Sequence, residues 1–141
     1  MYKKPLPVLD AETVPFWEAL RRQRLVVKRC HDCARYHFYP RVICPFCHSE
    51  HVEWAAVSGK GEIYSFTIAR RPAGPAFGTE VPYVVAVVQL EEGPRMMTNI
   101  LCADPAEVRI GMRVVVDFQE ATEEITLPMF RPVPMRTDLG A

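Results

Sequence analysis

The sequence predicts a small, mainly β protein: a short N-terminal helix, a metal-stapled β-ribbon, and then a five-stranded barrel of the OB type. Two observations carry this reading. Cys30-His31-Asp32-Cys33 and Cys44-Pro45-Phe46-Cys47 are two C-x-x-C pairs separated by ten residues, the pattern of two knuckles that aim four thiolates at one ion. From Ala56 onward, five runs of strand periodicity alternate with turn signals over roughly 75 residues, a density that points to a small antiparallel barrel. An SH3-like barrel is the near alternative.

Residues 1–24 form an N-terminal extension and helix. The first twelve residues contain prolines and read as extended. From Thr13 to Gln23 the pattern turns helical, with Thr13 placed as N-cap and Pro15 in the first turn, where its missing N–H costs little. Phe16, Trp17 and Leu20 share one face. That face reads first as packing on the protein's own body and second as a docking stripe.

Residues 25–55 form the metal module. Leu25 to Arg29 reads as a strand running into the first knuckle, and Tyr36 to Val42 as the returning segment. A module of about 30 residues buries too little surface to fold alone, and a structural metal supplies what is missing.

Residues 56–132 form the barrel. Gly61 to Ala69 alternates, with Tyr64, Phe66 and Ile68 expected on one face and Ile63, Ser65 and Thr67 on the other. Val81 to Leu90 is a β-branched run with its one proline near the start. Glu91-Glu92-Gly93-Pro94 is a turn, and Arg95 to Leu101 returns. Arg113–Gln119 and Ile125–Phe130 complete the set, and residues 133–141 are expected to be a loose tail. The segment Arg71–Glu80 is too long and too rich in Gly and Pro for a tight hairpin, and long loops in compact domains are often functional.

Composition narrows the function classes. The 141 residues carry 17 basic and 17 acidic side chains, and this balance does not by itself imply nucleic acid. No apolar run approaches the ~18 residues of a membrane span, and Met1-Tyr2-Lys3-Lys4-Pro5 lacks the apolar core of a signal peptide. The expectation is a cytoplasmic protein, in which paired cysteines are metal ligands more often than disulfides.

Cys30, Cys33, Cys44 and Cys47 are therefore the expected ligands. Zinc suits a closed four-sulfur site, while iron takes the same geometry, so spacing alone leaves both open. Four thiolates leave no open position for water, so the metal is read as structural. Cys102 lies at a strand end with no histidine nearby in sequence and reads as a small core residue. No nucleophile–base pair, phosphate loop or paired carboxylates stand out. The acidic residues Glu120, Glu123 and Glu124 read as a solvated turn. Arg70 and Arg71 flank the long loop and are candidates for binding phosphates, and Phe77 at its tip lacks an obvious core partner. A ribbon beside a barrel allows a single-stranded nucleic-acid binder or an interaction module holding another protein or a coenzyme A ligand. The first is weakened because the second and third barrel strands offer only Tyr83 for base stacking and turn through Glu91-Glu92.

The combined pattern resembles the DUF35 family. The resemblance rests on Trp17 in a short helix, Leu25 leading into Cys30-x-x-Cys33, and Phe38-Tyr39-Pro40-Arg41 before Cys44-Pro45-x-Cys47. It rests also on Ser58-Gly59-Lys60-Gly61-Glu62-Ile63-Tyr64-Ser65, Pro82-Tyr83-Val84-Val85-Ala86 and Leu127-Pro128-x-Phe130-Arg131-Pro132. Ala34-Arg35 departs from the pattern, since the family usually has Gly after the first knuckle, where it eases a left-handed turn.

The resemblance implies a rubredoxin-like zinc ribbon joined to an OB-fold, associated with acyl-CoA in lipid metabolism. Such proteins are similar in role to scaffolds beside thiolase-superfamily enzymes: acetoacetyl-CoA thiolase with HMG-CoA synthase, acyltransferases, and lipid-transfer-protein-like aldolases. In those systems the partner carries the catalytic residues. The expectation is a non-catalytic accessory subunit of a thiolase-like acyl-CoA enzyme, with the barrel and the Arg71–Glu80 loop touching the partner or the CoA-bearing substrate. A free-standing acyl-CoA-binding module and a nucleic-acid binder are the alternatives.

Overall fold

The computed structural model describes residues 2–102 and 104–133; the tail expected to be loose falls, from residue 134 on, outside them. The first helix, α1, spans Val14–Arg21 with Pro15 in its opening turn. Its start differs from the expectation. Thr13 makes no side-chain cap. Instead the Asp10 carboxylate accepts from both the Thr13 N–H and the Thr13 hydroxyl at 2.9 Å. The aspartate three residues upstream thus organises the turn, as short polar side chains do at helix starts. Phe16 and Leu20 are buried, so this face packs on the protein's own body.

The ribbon is a three-stranded sheet. Strands β1 (Val26–Cys30), β2 (Tyr36–His37) and β3 (Val52–Ala56) pair in the order β2-β1-β3. The expected return strand from Tyr36 is only two residues long. The main partner of β1 is β3, in the register Val27↔Ala55 and Arg29↔Glu53, and β3 was not foreseen. The Lys28 ammonium sits 4.6 Å from the centre of the Trp54 ring across this pair, a cation–π contact that shields the indole from water.

Five further strands close a barrel: β4 (Lys60–Ala69), β5 (Tyr83–Leu90), β6 (Arg95–Ile100), β7 (Arg113–Glu120) and β8 (Thr126–Pro132), in the order β4-β5-β6-β8-β7. All neighbours are antiparallel except β6 and β8, which meet through Ile100↔Phe130. This is the connectivity of an OB-fold. The last strand runs beyond the expected Phe130, since Arg131 pairs with Val115 and Pro132 with Val114. Pro132 sits near the strand's end, where its missing donor is tolerated.

The alternation expected in β4 breaks at a bulge. The register slips between Ile63 and Ser65, so Tyr64 is an extra residue and both Gly61 and Ile63 face inward ahead of it. Ile63 is buried and Tyr64 is exposed, so Ile63 and not Tyr64 shares the inward side with Phe66 and Ile68. Bulges characteristically re-aim a side chain and sharpen a barrel's curvature.

One hydrophobic core serves the whole molecule. Phe16 and Leu20 of the helix and Leu25 and Val27 of the ribbon join Ile63, Val88, Leu90, Val114 and Phe130 of the barrel in a single cluster. The ribbon therefore borrows its core from the barrel, which answers the size problem noted above. Phe130 has no solvent exposure, and its carbonyl accepts the Leu101 N–H at 2.8 Å. The late Leu-Pro-x-Phe motif thus seals the barrel where β6 and β8 meet. Among the described residues no helix is long and apolar enough to cross a membrane.

The Ser-Gly-x-Gly motif marks the joint between ribbon and barrel. The Ser58 N–H donates to Glu92 Oε2 at 2.9 Å and its hydroxyl to Glu91 Oε1 at 3.3 Å, tying the joint to the β5–β6 turn. Gly59 has φ 79°, and a Cβ there would stand 2.5 Å from Val116 Cγ1. A Cβ on Gly61 would meet the Gln89 carbonyl oxygen, a backbone atom that cannot swing away. Gly61→Ala is therefore expected to destabilise the protein by about 2 kcal/mol, within the range for overpacking, as measured by urea unfolding. A wild-type midpoint would show that the strands separate freely there.

Candidate functional site

The ribbon places its four cysteines at the ends of two knuckles. Cys30 closes β1, and its N–H donates to the Arg35 carbonyl at 2.9 Å. In the second knuckle the Cys44 N–H donates to the Ser49 carbonyl and the His48 N–H returns to the Cys44 carbonyl, both at 2.9 Å. The Phe46 N–H points at Cys44 Sγ at 3.4 Å, as a donor that favours the thiolate. Each chain reversal needs one left-handed residue just past its second cysteine: Ala34 after Cys33 and His48 after Cys47, both with φ 65°. The missing glycine noted in the sequence thus falls at a position where the backbone is strained.

All four sulfurs lie within 4.8 Å of one another. Cys30 Sγ is 3.6 Å from Cys47 Sγ, and Cys33 Sγ is 3.7 Å from Cys44 Sγ. These gaps are far longer than the ~2.05 Å of a disulfide. They match the ~3.8 Å edge of a tetrahedron whose sulfurs stand ~2.3 Å from a central ion. Electrostatics says the same. Burial opposes ionisation of Cys44, yet the N–H groups of Cys47 and Phe46 and the Cys33 thiol outweigh it and bring it down to about 7. At Cys47 the Ser49 N–H favours the thiolate, but burial and the three neighbouring sulfurs prevail and push it up to about 12. Four thiolates so close repel one another unless a cation sits among them. The set fits a structural metal, and its coordination is complete without water.

The histidines around the knuckles serve the outer layer. His31 Nε2 lies 2.9 Å from Glu53 Oε1, and His51 Nδ1 lies 3.1 Å from Asp32 Oδ2. None belongs to the sulfur cluster. His37, in β2 of the ribbon, is buried. Burial, aided by the charge of Lys28, holds its imidazole below the usual histidine range.

The other expected residues do not converge on a reactive centre. Cys102 packs against the core, and burial, with Asp104 and Glu107 nearby, pushes its thiol up, which is the opposite of an activated nucleophile. Glu120, Glu123 and Glu124 are exposed. Arg70 and Arg71 are exposed at the base of the long loop, and among the described residues neither makes an ion pair.

Phe77 lies outside the core cluster, as expected, but it has partners at the surface. It closes a short 3-10 turn at Pro75–Phe77, its ring centre lies 6.0 Å from that of Tyr83, and Lys4 Nζ stands 5.7 Å above it. Lys4 in turn pairs with Glu80 at 2.7 Å. The N-terminal arm therefore pins the loop, a contact between segments about 70 residues apart in sequence that no local pattern announces.

Comparison with known proteins follows the same two-part division. A family model described as the ChsH2 rubredoxin-like zinc ribbon domain matches residues 17–53, and one described as the ChsH2 C-terminal OB-fold domain matches residues 54–119. The chain is 37% identical over 115 residues to a "DUF35 domain-containing scaffold protein" of Methanothermobacter thermautotrophicus, covering 80% of this chain and 86% of that one. It is 41% identical over 129 residues to a "Probable enoyl-CoA hydratase alpha subunit" of Thermomonospora curvata, covering 92% of this chain but only 40% of that protein. A solved structure described as "Ltp2-ChsH2(DUF35) aldolase" contains a chain that superposes with a TM-score of 0.80 at 41% identity, covering 90% of this chain and 98% of that one.

The strained knuckle gives a direct test. Ala34→Gly is expected to stabilise the metal-loaded protein by up to about 1 kcal/mol, as relief of a left-handed alanine less the entropy cost of glycine, read from chemical unfolding. A destabilised variant would show that Ala34 makes contacts that outweigh its backbone strain.

Proposed function

This chain belongs to the DUF35 family, and from that membership we propose that it is a non-catalytic accessory subunit of a thiolase-like acyl-CoA enzyme. The observation that carries the reading is the likeness to the DUF35 chain of the solved aldolase, which extends over 98% of that chain. A module of this size and shape is therefore one that, in a relative, sits beside another subunit. The chemistry of the site supports the same role. Its one cluster of metal-binding side chains among the described residues is a closed four-sulfur set, which orders the fold and offers no position to substrate.

The ion proposed for Cys30, Cys33, Cys44 and Cys47 is zinc, which suits four thiolates and needs no redox partner. Their role is to fix the ribbon against the barrel. The partner is proposed to belong to the thiolase superfamily and to share an acyl-CoA substrate with this chain. Arg70 and Arg71 remain exposed cations available to CoA phosphates. Phe77, half-buried against Tyr83, is proposed to present the Arg71–Glu80 loop to the partner. The reaction thus belongs to the partner, with this chain assembling the complex and lining part of the acyl-CoA site.

Co-expression with a thiolase-like protein encoded beside it is expected to yield a stable complex by size-exclusion chromatography, while the purified chain alone turns over no acyl-CoA. Failure to associate with any such neighbour, or turnover by the chain alone, would contradict the proposal.

A further inference from the structure

The outer surface of the barrel carries a largely apolar band that no other described residue covers. In β5 the even-numbered residues Val84, Ala86 and Val88 point into the core, so Val85 and Val87 face out. Directly across from them stand Thr67 and Asn99 in one row and Ser65 and Met97 in the next. An outward sheet face ordinarily carries charged and polar side chains. These two rows contain no charge at all, and Met97 is 70% exposed.

Met97 also links this face to a second hollow. On one side it lines a shallow groove with Ser65, Thr67, Val85 and Val87. On the other it lines a groove of about 230 Å³ that runs under Trp17, Tyr39, Leu127 and Met129. The two grooves form one band that crosses from the ribbon and helix onto the barrel, with the methionine as its ridge. Large contiguous apolar patches mark interaction sites, and Met, Tyr, Trp and Arg are the residue types enriched in them.

A cation stands at each end of the band, with exposed Glu62 across Gln89 from the one at the barrel end. At the ribbon end the Arg41 guanidinium lies 5.0 Å from the Tyr39 ring centre, with only a 4.0 Å approach to Glu12 as ion pair. At the barrel end Arg95 lies 3.7 Å from the centre of the ring of Tyr64, the bulge residue. It donates to the neutral Gln89 at 3.0 Å and makes no ion pair among the described residues. No carboxylate lines either groove. Each guanidinium lies over an aromatic ring, and its nitrogens beyond the Glu12 approach and the Gln89 bond are available to receive a carboxylate.

We infer that this band is the docking face for the thiolase-like partner, and that the partner meets it with an apolar ridge flanked by carboxylates. The inference rests on the functional reading above and goes further in naming the face and the chemistry of its occupant. A second copy of this chain fits poorly, because a two-fold contact across the band would set Arg41 against Arg95.

The probe is the thiolase-like protein encoded beside this chain, co-expressed with the full chain. Wild type is expected to co-purify with it. Met97→Glu and Arg95→Glu are each expected to weaken the complex at least tenfold by biolayer interferometry, while the metal content and melting temperature of the free chain stay at wild-type values. Glu123→Lys, at an exposed residue that lines neither groove, should bind as wild type does. If wild type captures no such neighbour, the functional reading fails and the docking face falls with it. If wild type binds and both band variants bind equally well, the face is wrong and the functional reading stands. If sedimentation shows the free wild-type chain to be a dimer and Met97→Glu a monomer, the occupant is a second copy and the inference is overturned.

Discussion

Four sulfurs held within a few ångströms of one another are the constraint on which the rest of this structure depends. Without a cation they repel, and the two knuckles have no reason to face each other. With one, the knuckles lock, Cys30 anchors the end of β1, and β1 can hold β3 along five paired positions. That sheet carries Leu25 and Val27 into the barrel's core. The ion therefore stabilises more than the ribbon. It fixes one wall of the only described core and, through it, the seat of α1.

The same coupling explains how the chain builds a wide surface from few residues. The helix contributes Trp17, the ribbon Tyr39 and the barrel Met97, and these meet along one band because the three elements share a core. A free ribbon could not hold Tyr39 in register with a barrel strand. The metal acts as a positioning device for a surface. A closed four-thiolate site is well matched to that work, since it binds tightly and offers no open coordination position.

Much of this was legible in the sequence because the relevant signals are local. C-x-x-C spacing specifies a knuckle, and period-two alternation specifies a strand, so the clustering of the four cysteines and all five barrel strands could be read directly. The parts that were not legible depend on distant neighbours. The strand β3, with its half-buried and exposed residues Val52-Glu53-Trp54-Ala55-Ala56, lacks a clean alternation and exists because β1 lies alongside it. The bulge at Tyr64 leaves no composition signal, and it exchanged the expected sides of Ile63 and Tyr64 alone. Phe77 found its partners in Tyr83 and in Lys4, the latter far upstream. Thr13 looked like a cap, but the short polar side chain that does the work is Asp10. The residues of the docking band lie on three elements and come together only in the fold.

The account's central claim is that a metal-ordered surface on this chain supports chemistry carried out by another subunit. The most direct measurement is acyl-CoA turnover by the thiolase-like partner as the chain is titrated into it, first metal-loaded and then stripped by chelator. The account expects turnover to rise and saturate at a fixed stoichiometry with the loaded chain, and to stay at the partner's basal rate with the stripped one. A partner whose turnover is indifferent to the chain, or is supported equally by the metal-free form, would contradict it.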